Sequence, residues 1–254
     1  MKLIALLLLG LVSLVEGEVV KSFADSCTDP FIKDQNKKPV TPTVLVSQKR
    51  DKTGKLIERY RQICQKYENI YRYATLYDTH NRIPVYSAYL YTGYAKVAIK
   101  STWMIEPGVG LLCFLSVVKN INAGGPVGKN QAVNDDYIDQ QPYQKGHLYP
   151  HCHNCDQDQS DSTFTLTNAA PQDEEDNKDW YGQVEKVSAN HISNWVNVPG
   201  YFWSAFCCTH RVKKSEYSKL NKDEMSVQEL NGKLTGLYAT PFKVFDNTFI
   251  LFNH

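Results

Sequence analysis

Aromatic and β-branched residues crowd two stretches, Tyr71-Arg-Tyr-Ala-Thr-Leu-Tyr77 and Arg82-Ile-Pro-Val-Tyr-Ser-Ala-Tyr-Leu-Tyr91, on either side of the polar Asp78-Thr-His-Asn81. Such residues fit a pleated, half-buried surface and the polar tetrapeptide forms turns, so the pattern predicts a β-hairpin. Lys96 to Trp103 reads as a further strand. Leu111 to Val118 is apolar except for Ser116, which suits a strand or a buried helix alike, and Gly124-Gly125-Pro126 with Gly128 ends it in a loop. Thr163-Phe-Thr-Leu-Thr-Asn168 alternates like a strand. Pro171 and the acidic run Asp173 to Asp176 then lead into a predicted helix over 177–193, with Tyr181, Val184, Val187 and Ile192 as its apolar stripe. Tyr201 to Cys207 reads as a second core strand. Ser226-Val-Gln-Glu229 is a capping box that opens a helix, with Leu230 and Leu234 at helical spacing and Gly236 as its stop. Residues 28–56 carry Pro30, Pro39, Pro42 and Gly54 among many Lys, Gln and Asp, which predicts a surface segment ahead of an ordered core that begins near Tyr60.

The first seventeen residues form a separate object. Met1-Lys2 gives a positive start, Leu3 to Val15 is apolar except for Gly10 and Ser13, and Val15-Glu16-Gly17 suits a cut ahead of Glu18. The apolar run is shorter than the ~17–25 residues of a spanning helix, so it reads as a secretory signal that leaves no membrane anchor in the mature chain. Division into a signal at 1–17, an N-terminal surface segment at 18–60 and one folded domain at 61–254 follows.

Secretion makes the seven cysteines informative: Cys27, Cys64, Cys113, Cys152, Cys155, Cys207 and Cys208 are an odd number, so at least one is left over. Cys113, among leucines and phenylalanine, is the expected buried free thiol. His151-Cys152-His153-Asn154-Cys155 invites a zinc site, with a further ligand from Cys207, Cys208 or His210, but in an oxidising compartment such cysteines more often pair as disulfides. The net charge of +1, from 28 Lys and Arg against 27 Asp and Glu, excludes a globally basic nucleic-acid coat. Any polyanion must be held locally or through a metal. Arg211, Lys213 and Lys214 make the clearest basic patch, a composition that ordinarily belongs to a solvated face.

The densest chemistry lies in Tyr143-Gln-Lys-Gly-His-Leu-Tyr-Pro150 and in Asn168, Asn177 and Glu185. An imidazole with a pKa near ~6.5 can take a proton from water, an ammonium can neutralise a phosphorane, and Asn with Glu can hold a hydrated Mg2+. That set suits phosphate-ester hydrolysis. Taken singly, each residue also fits a structural role: a hydrogen-bonded His at a strand end, or an Asn capping a helix.

Lys145-Gly-His-Leu-Tyr-Pro150, Phe164-Thr-Leu-Thr-Asn-Ala-Ala-Pro-Gln172, Asn177 and Glu185 resemble the DNA/RNA non-specific endonuclease family, over about Cys64 to Leu237. The resemblance implies an α+β fold, a mixed sandwich with a ββα-metal (His-Me finger) nuclease site. It implies a secreted endonuclease that hydrolyses DNA and RNA with little sequence preference and leaves 5′-phosphates. His147 falls on the general base, Asn177 on the direct protein ligand of Mg2+ (Mn2+ as a substitute), and Glu185 on the carboxylate that orients the ion's water. Asn168 matches the active-site Asn ahead of the helix. It also suggests that Cys27 pairs with Cys64. Where the family reads D-R-G-H, this chain has Gln144 and Lys145, and a Lys keeps the charge but loses the planar, two-pronged grip on phosphate. Asp176 stands where the family has leucine. These departures frame the alternative, a catalytically attenuated secreted member that binds nucleic acid or protein. The oligomeric state is left open by the sequence.

Overall fold

The computed structural model describes residues 17–93, 97–99, 102–106, 108–109, 127–138, 142–174, 199, 202–205 and 225–245. The hairpin expected around Asp78 is the centre of a four-stranded antiparallel sheet, ordered β1 (Glu18–Val20), β2 (Tyr60–Tyr67), β3 (Ile70–Asp78) and β4 (Ile83–Ala88). Tyr67 faces Ile70 across a two-residue turn whose Glu68 and Asn69 have φ of 49° and 62°, the left-handed pair that matches strand twist. At the other end of β3, Asp78 faces Ile83, and the Asp78 carboxylate accepts the backbone N–H of His80 at 3.0 Å and that of Asn81 at 3.2 Å. β4 stops at Ala88, short of Tyr91.

Alternation along β3 sends successive side chains to opposite faces, and both faces are covered. Ala74 and Leu76 join Cys64, Val85 and Tyr86 in a core closed by Phe23, Phe31, Leu45, Leu230, Leu234 and Phe242. On the other face Tyr77 packs with Ile63 and Val109, and the Tyr73 hydroxyl lies 3.0 Å from Thr165 Oγ1. Arg82 is buried on that side, its guanidinium 2.8 Å from Asp136 Oδ1 and also bonded to the Gly128 carbonyl, which pins residues 127–137 beneath the hairpin. A second, two-stranded antiparallel sheet of β5 (Tyr143–His147) and β6 (Ala169–Asp173) lies in this layer, with a short helix α2 (Gln157–Ser162) between its strands. Strands and few helices in layers make the fold α+β.

The capping box forms as expected: Ser226 Oγ accepts the Glu229 N–H at 3.2 Å and Glu229 accepts the Ser226 N–H at 2.8 Å, opening α3 (Val227–Tyr238). Gly236 does not end it. The helix continues to Tyr238, whose ring stacks on Phe242 at 5.5 Å, and stops at Ala239 with φ of 48°. That packing outweighs the roughly 1 kcal/mol cost of an internal glycine.

Other expectations change for physical reasons. Residues 28–56 are not merely surface, because Phe31, Val40 and Leu45 are buried, drawn in where Phe31 meets Phe23 at 5.5 Å. Before Tyr60, β1 already pairs with β2, and a one-turn helix α1 (Phe23–Ser26) buries Phe23 in the core. Residues 163–168 alternate without forming a ladder. Only Thr165 makes a bridge, parallel, to Met104, after which 166–168 close a 3-10 turn, since polar Thr163, Thr165 and Thr167 are as buried as Phe164 and Leu166. Residues 97–99, 102–103 and 202–205 carry no strand, although Trp203 and Phe202 pack against the two cores. Leu111 to Val118, the helix expected over 177–193, Cys113, Cys207, Cys208, His210 and the basic patch lie outside the described residues.

Cys27 and Cys64 form a disulfide, with Cα atoms 5.9 Å apart and a sequence separation of 37. It fastens the N-terminal segment to β2 inside the first core. Closing a loop of this size should stabilise by about 3–4 kcal/mol through the unfolded chain. Replacing both cysteines by Ala should lower the free energy of urea unfolding by that amount. An unchanged midpoint would show that the N-terminal segment is held by packing alone.

Candidate functional site

β5 brings Lys145 and His147 to one face of a strand, because they are two residues apart. The intervening Gly146 is required by its neighbour: a Cβ there would sit 2.2 Å from Gln172 Oε1 and 2.8 Å from Gln172 Cβ, across the pair Gly146 and Ala170. Any side chain would push β6 away and displace the residues on either side.

Aromatic rings enclose His147. Trp103 lies 4.6 Å from it between centroids, Phe164 stands edge-on at 4.7 Å, and His151 is at 5.7 Å. His147 Nε2 is buried and meets no hydrogen-bond partner among the described residues. Burial, helped by His151, lowers the imidazole to a pKa of about 3, so it is neutral at pH 7. Lys145 Nζ lies 5.2 Å from the centre of the Tyr137 ring and 5.9 Å from that of Trp103. Its pKa is lowered by burial. Trp103, Tyr137, Tyr143, Gln144 and Lys145 line an open cleft of about 340 Å3. A cation on aromatic faces beside an unsatisfied neutral imidazole can receive an anion and accept a proton.

Asn168 is placed differently. It is fully buried and its amide is saturated: Nδ2 donates to the Tyr149 and Thr163 carbonyls at 3.1 and 2.9 Å, and Oδ1 accepts from the Tyr149 N–H at 3.0 Å and the Ser87 hydroxyl at 2.8 Å. Its backbone carbonyl accepts the Leu148 N–H at 3.0 Å. With two donors and two acceptor positions in use, the side chain has no capacity left for a ligand. It clamps the segment that follows His147 to β4 and to the end of α2.

Asn177 and Glu185 lie outside the described residues, so their distance from His147 is not described. The last described residue before them, Glu174, donates its N–H to the Pro142 carbonyl at 2.9 Å, beside the start of β5. Among the described residues no group of three or more His, Cys, Asp or Glu could hold a metal ion. That includes the 151–155 segment, where Cys152 and Cys155 are free thiols and His153 Nδ1 is 2.9 Å from the Tyr89 hydroxyl.

From the sequence, Trp103 has no place in the site, Phe164 enters only as part of the family motif and His151 only as a candidate zinc ligand. Their grouping around His147 had no readable signal, because Trp103 and Phe164 belong to segments far apart in sequence that are joined by the Met104 N–H bonded to the Phe164 carbonyl at 3.0 Å and the Leu166 N–H bonded to the Met104 carbonyl at 2.8 Å.

Residues 58–198 match the model of a family described as DNA/RNA non-specific endonuclease. The human Endonuclease domain-containing 1 protein is 31% identical over 183 residues, and its mouse counterpart 27% over the same length. Each match covers 61% of this chain and 36% of the relative, so the chain spans little more than a third of the length of the curated relatives it matches.

Two outcomes follow from the site's geometry. Asn168→Asp sets a carboxylate against two carbonyl oxygens and should destabilise the fold by about 3–5 kcal/mol in urea; a loss under 1 kcal/mol would mean that the clamp is dispensable. The His147 imidazole should titrate by NMR far below the free value of about 6.5. Its folded pKa is depressed, so its share of stability is present above about pH 6.5 and is lost as pH falls toward 3. A midpoint near 6.5 would contradict the enclosure.

Proposed function

The chain belongs to the DNA/RNA non-specific endonuclease family, and on that premise we propose that it is a secreted, metal-dependent endonuclease that cleaves DNA and RNA with little sequence preference through a ββα-metal site. In this reading residues 1–17 are a cleaved leader, 18–60 an N-terminal segment and 61–254 the nuclease domain. What supports it most is His147, neutral, with Nε2 unpartnered among the described residues, on the same strand face as Lys145.

His147 Nε2 takes a proton from a water whose oxygen attacks phosphorus. The bond to O3′ breaks, a solvent proton goes to that oxygen, and the products are a 5′-phosphate and a 3′-hydroxyl. A base held near pKa 3 is strengthened as substrate arrives, because the phosphate's negative charge favours imidazolium. Lys145 offsets the charge that builds on the phosphorane. Asn168 acts as a positioning residue by holding the chain after His147. The rings around His147 supply no carboxylate, so the donors for a divalent ion are the remaining candidates, Asn177 as ligand and Glu185 to orient its hydration shell. Mg2+, or Mn2+ in its place, would supply Lewis-acid charge to the phosphate and the leaving oxygen.

Among the described residues no helix is long and apolar enough to cross a membrane. The attenuated alternative is favoured by one observation: Gln144 and Lys145 replace the family's acidic and guanidinium groups, so the anion contact is a single ammonium already resting on Tyr137 and Trp103.

Plasmid nicking and RNA digestion with Mg2+ or Mn2+ should show cleavage that EDTA abolishes. Lys145→Ala should lower kcat/KM by about 10²–10³-fold while Lys145→Arg preserves or raises it, and His147→Ala should cost at least as much with binding retained. Asn177→Ala should raise the metal concentration needed for half-activity. Folded protein that binds nucleic acid under every divalent ion without cutting it would establish the attenuated member instead.

A further inference from the structure

Glu106 is a buried carboxyl group that the proposed mechanism does not use. It is 2% exposed, its backbone N–H and carbonyl are both bonded to the Gln131 amide at 2.8 and 2.7 Å, and its Oε2 accepts from Thr167 Oγ1 at 3.3 Å. Gln65, itself 2.9 Å from Thr167 Oγ1, also bonds to the carboxyl group. None of these is a cation, and Glu106 Oε1 meets no hydrogen-bond partner among the described residues. Burial accordingly raises its pKa to about 8.

What the free oxygen faces is the chain's own Gly17. A Cβ on Gly17 would fall 1.6 Å from Glu106 Oε1 and 2.3 Å from Oε2, so the carboxylate occupies the place a side chain would take. Gly17 is buried, and the residue after it is anchored: Glu18 pairs with Cys64 in β1, and its Oε2 accepts the Tyr71 hydroxyl at 2.7 Å. The Glu18 nitrogen is two bonds from the Gly17 Cα, about 2.4 Å away, which puts it within direct or one-water reach of Glu106. Gly17 and Glu18 also flank the cut that the apolar leader and Val15-Glu16-Gly17 indicate.

We propose that the Glu106 pocket is a binding site for the α-ammonium group that appears at Glu18 when residues 1–17 are removed. The proposal rests on the reading of those residues as a cleaved leader. Hydrolysis by a signal peptidase adds water across the Gly17–Glu18 bond, leaving a carboxylate on Gly17, an amine on Glu18 and a proton that goes to solvent. Release of Gly17 vacates the volume against Oε1. The buried carboxyl group then passes its proton to the amine, and the neutral acid becomes an ion pair that fills the unsatisfied oxygen. The consequence reaches the nuclease site through one short segment. Glu106 is three residues from Trp103, which walls His147, and Met104 between them is bonded to Phe164 and Leu166. Docking the new terminus ties the segment that walls the site to β1.

The test uses chains that run to His254 and begin either at Glu18, released scarlessly from a fusion, or at Val15, each with and without Glu106→Gln. The Glu18 chain should melt about 5 °C above the Val15 chain, and the difference should vanish with Glu106→Gln. Equal melting temperatures, or a difference that survives Glu106→Gln, overturn the proposal. Should Glu106→Gln fail to fold, reductive dimethylation of the α-amine decides: the Glu18 amine should react about tenfold more slowly than the Val15 amine, and equal rates overturn the proposal. N-terminal sequencing of the protein secreted by cells examines the leader separately. A start at Glu18 supports it, and a start elsewhere overturns the leader reading, and the maturation step with it, whatever the engineered chains show.

Discussion

The Asn168 amide is the constraint on which the arrangement around His147 depends. One planar group bonds to β4 through Ser87, to the chain leaving β5 through both backbone groups of Tyr149, and to the end of α2 through Thr163. In a water-free setting each of those partners would cost about 1–3 kcal/mol if left unpaired, so the amide admits a single placement of all three elements. Tyr149 carries the constraint onward. Its ring stacks on Tyr89 at 3.7 Å and stands edge-on to Tyr73 at 5.1 Å, which ties the segment to β3 and to the stretch after β4.

The electrostatics follow from that packing. Rings brought together by the Met104 and Thr165 bridge crowd His147 and strip water from around its ring, and that desolvation lowers its pKa and keeps the imidazole neutral. Lys145, two residues away and lining the open cleft, is only half-buried, and burial lowers its pKa from the ordinary lysine value. A neutral acceptor beside a cation is a polarity suited to an anion that gives up or relays a proton. The opposite case is Glu106, where burial among uncharged partners raises the carboxyl pKa to about 8.

Much of the frame was legible in sequence because it is encoded locally. The β3–β4 hairpin follows from aromatic and β-branched runs around a turn, and the α3 start from Ser226 and Glu229, which need only each other. Local encoding also sets the limits of such reading. Gly236 has the intrinsic preference of a helix stop, but the stacking of Tyr238 on Phe242 outweighs it. Residues 163–168 alternate as a strand does, yet both of their faces are buried, so the alternation sorts residues between hydrogen-bonded threonines and two apolar clusters. The buried Phe31, Val40 and Leu45 were masked by the prolines and lysines around them.

For the site, the sequence by itself determined the residue types and their spacing: Lys145 and His147 two apart on a strand, a glycine between them, and an Asn in the segment that pairs with it. Those features are matters of covalent order and strand period, which the chain carries wherever it folds. Tertiary structure alone decided what each residue can do. It made Asn168 a saturated clamp by giving its amide four hydrogen bonds to Ser87, Tyr149 and Thr163, and it left His147 Nε2 without a partner among the described residues by closing Trp103 and Phe164 over it. Proton affinity and hydrogen-bonding capacity depend on which groups and how much water lie within a few ångströms, and those neighbours come from parts of the chain tens of residues away.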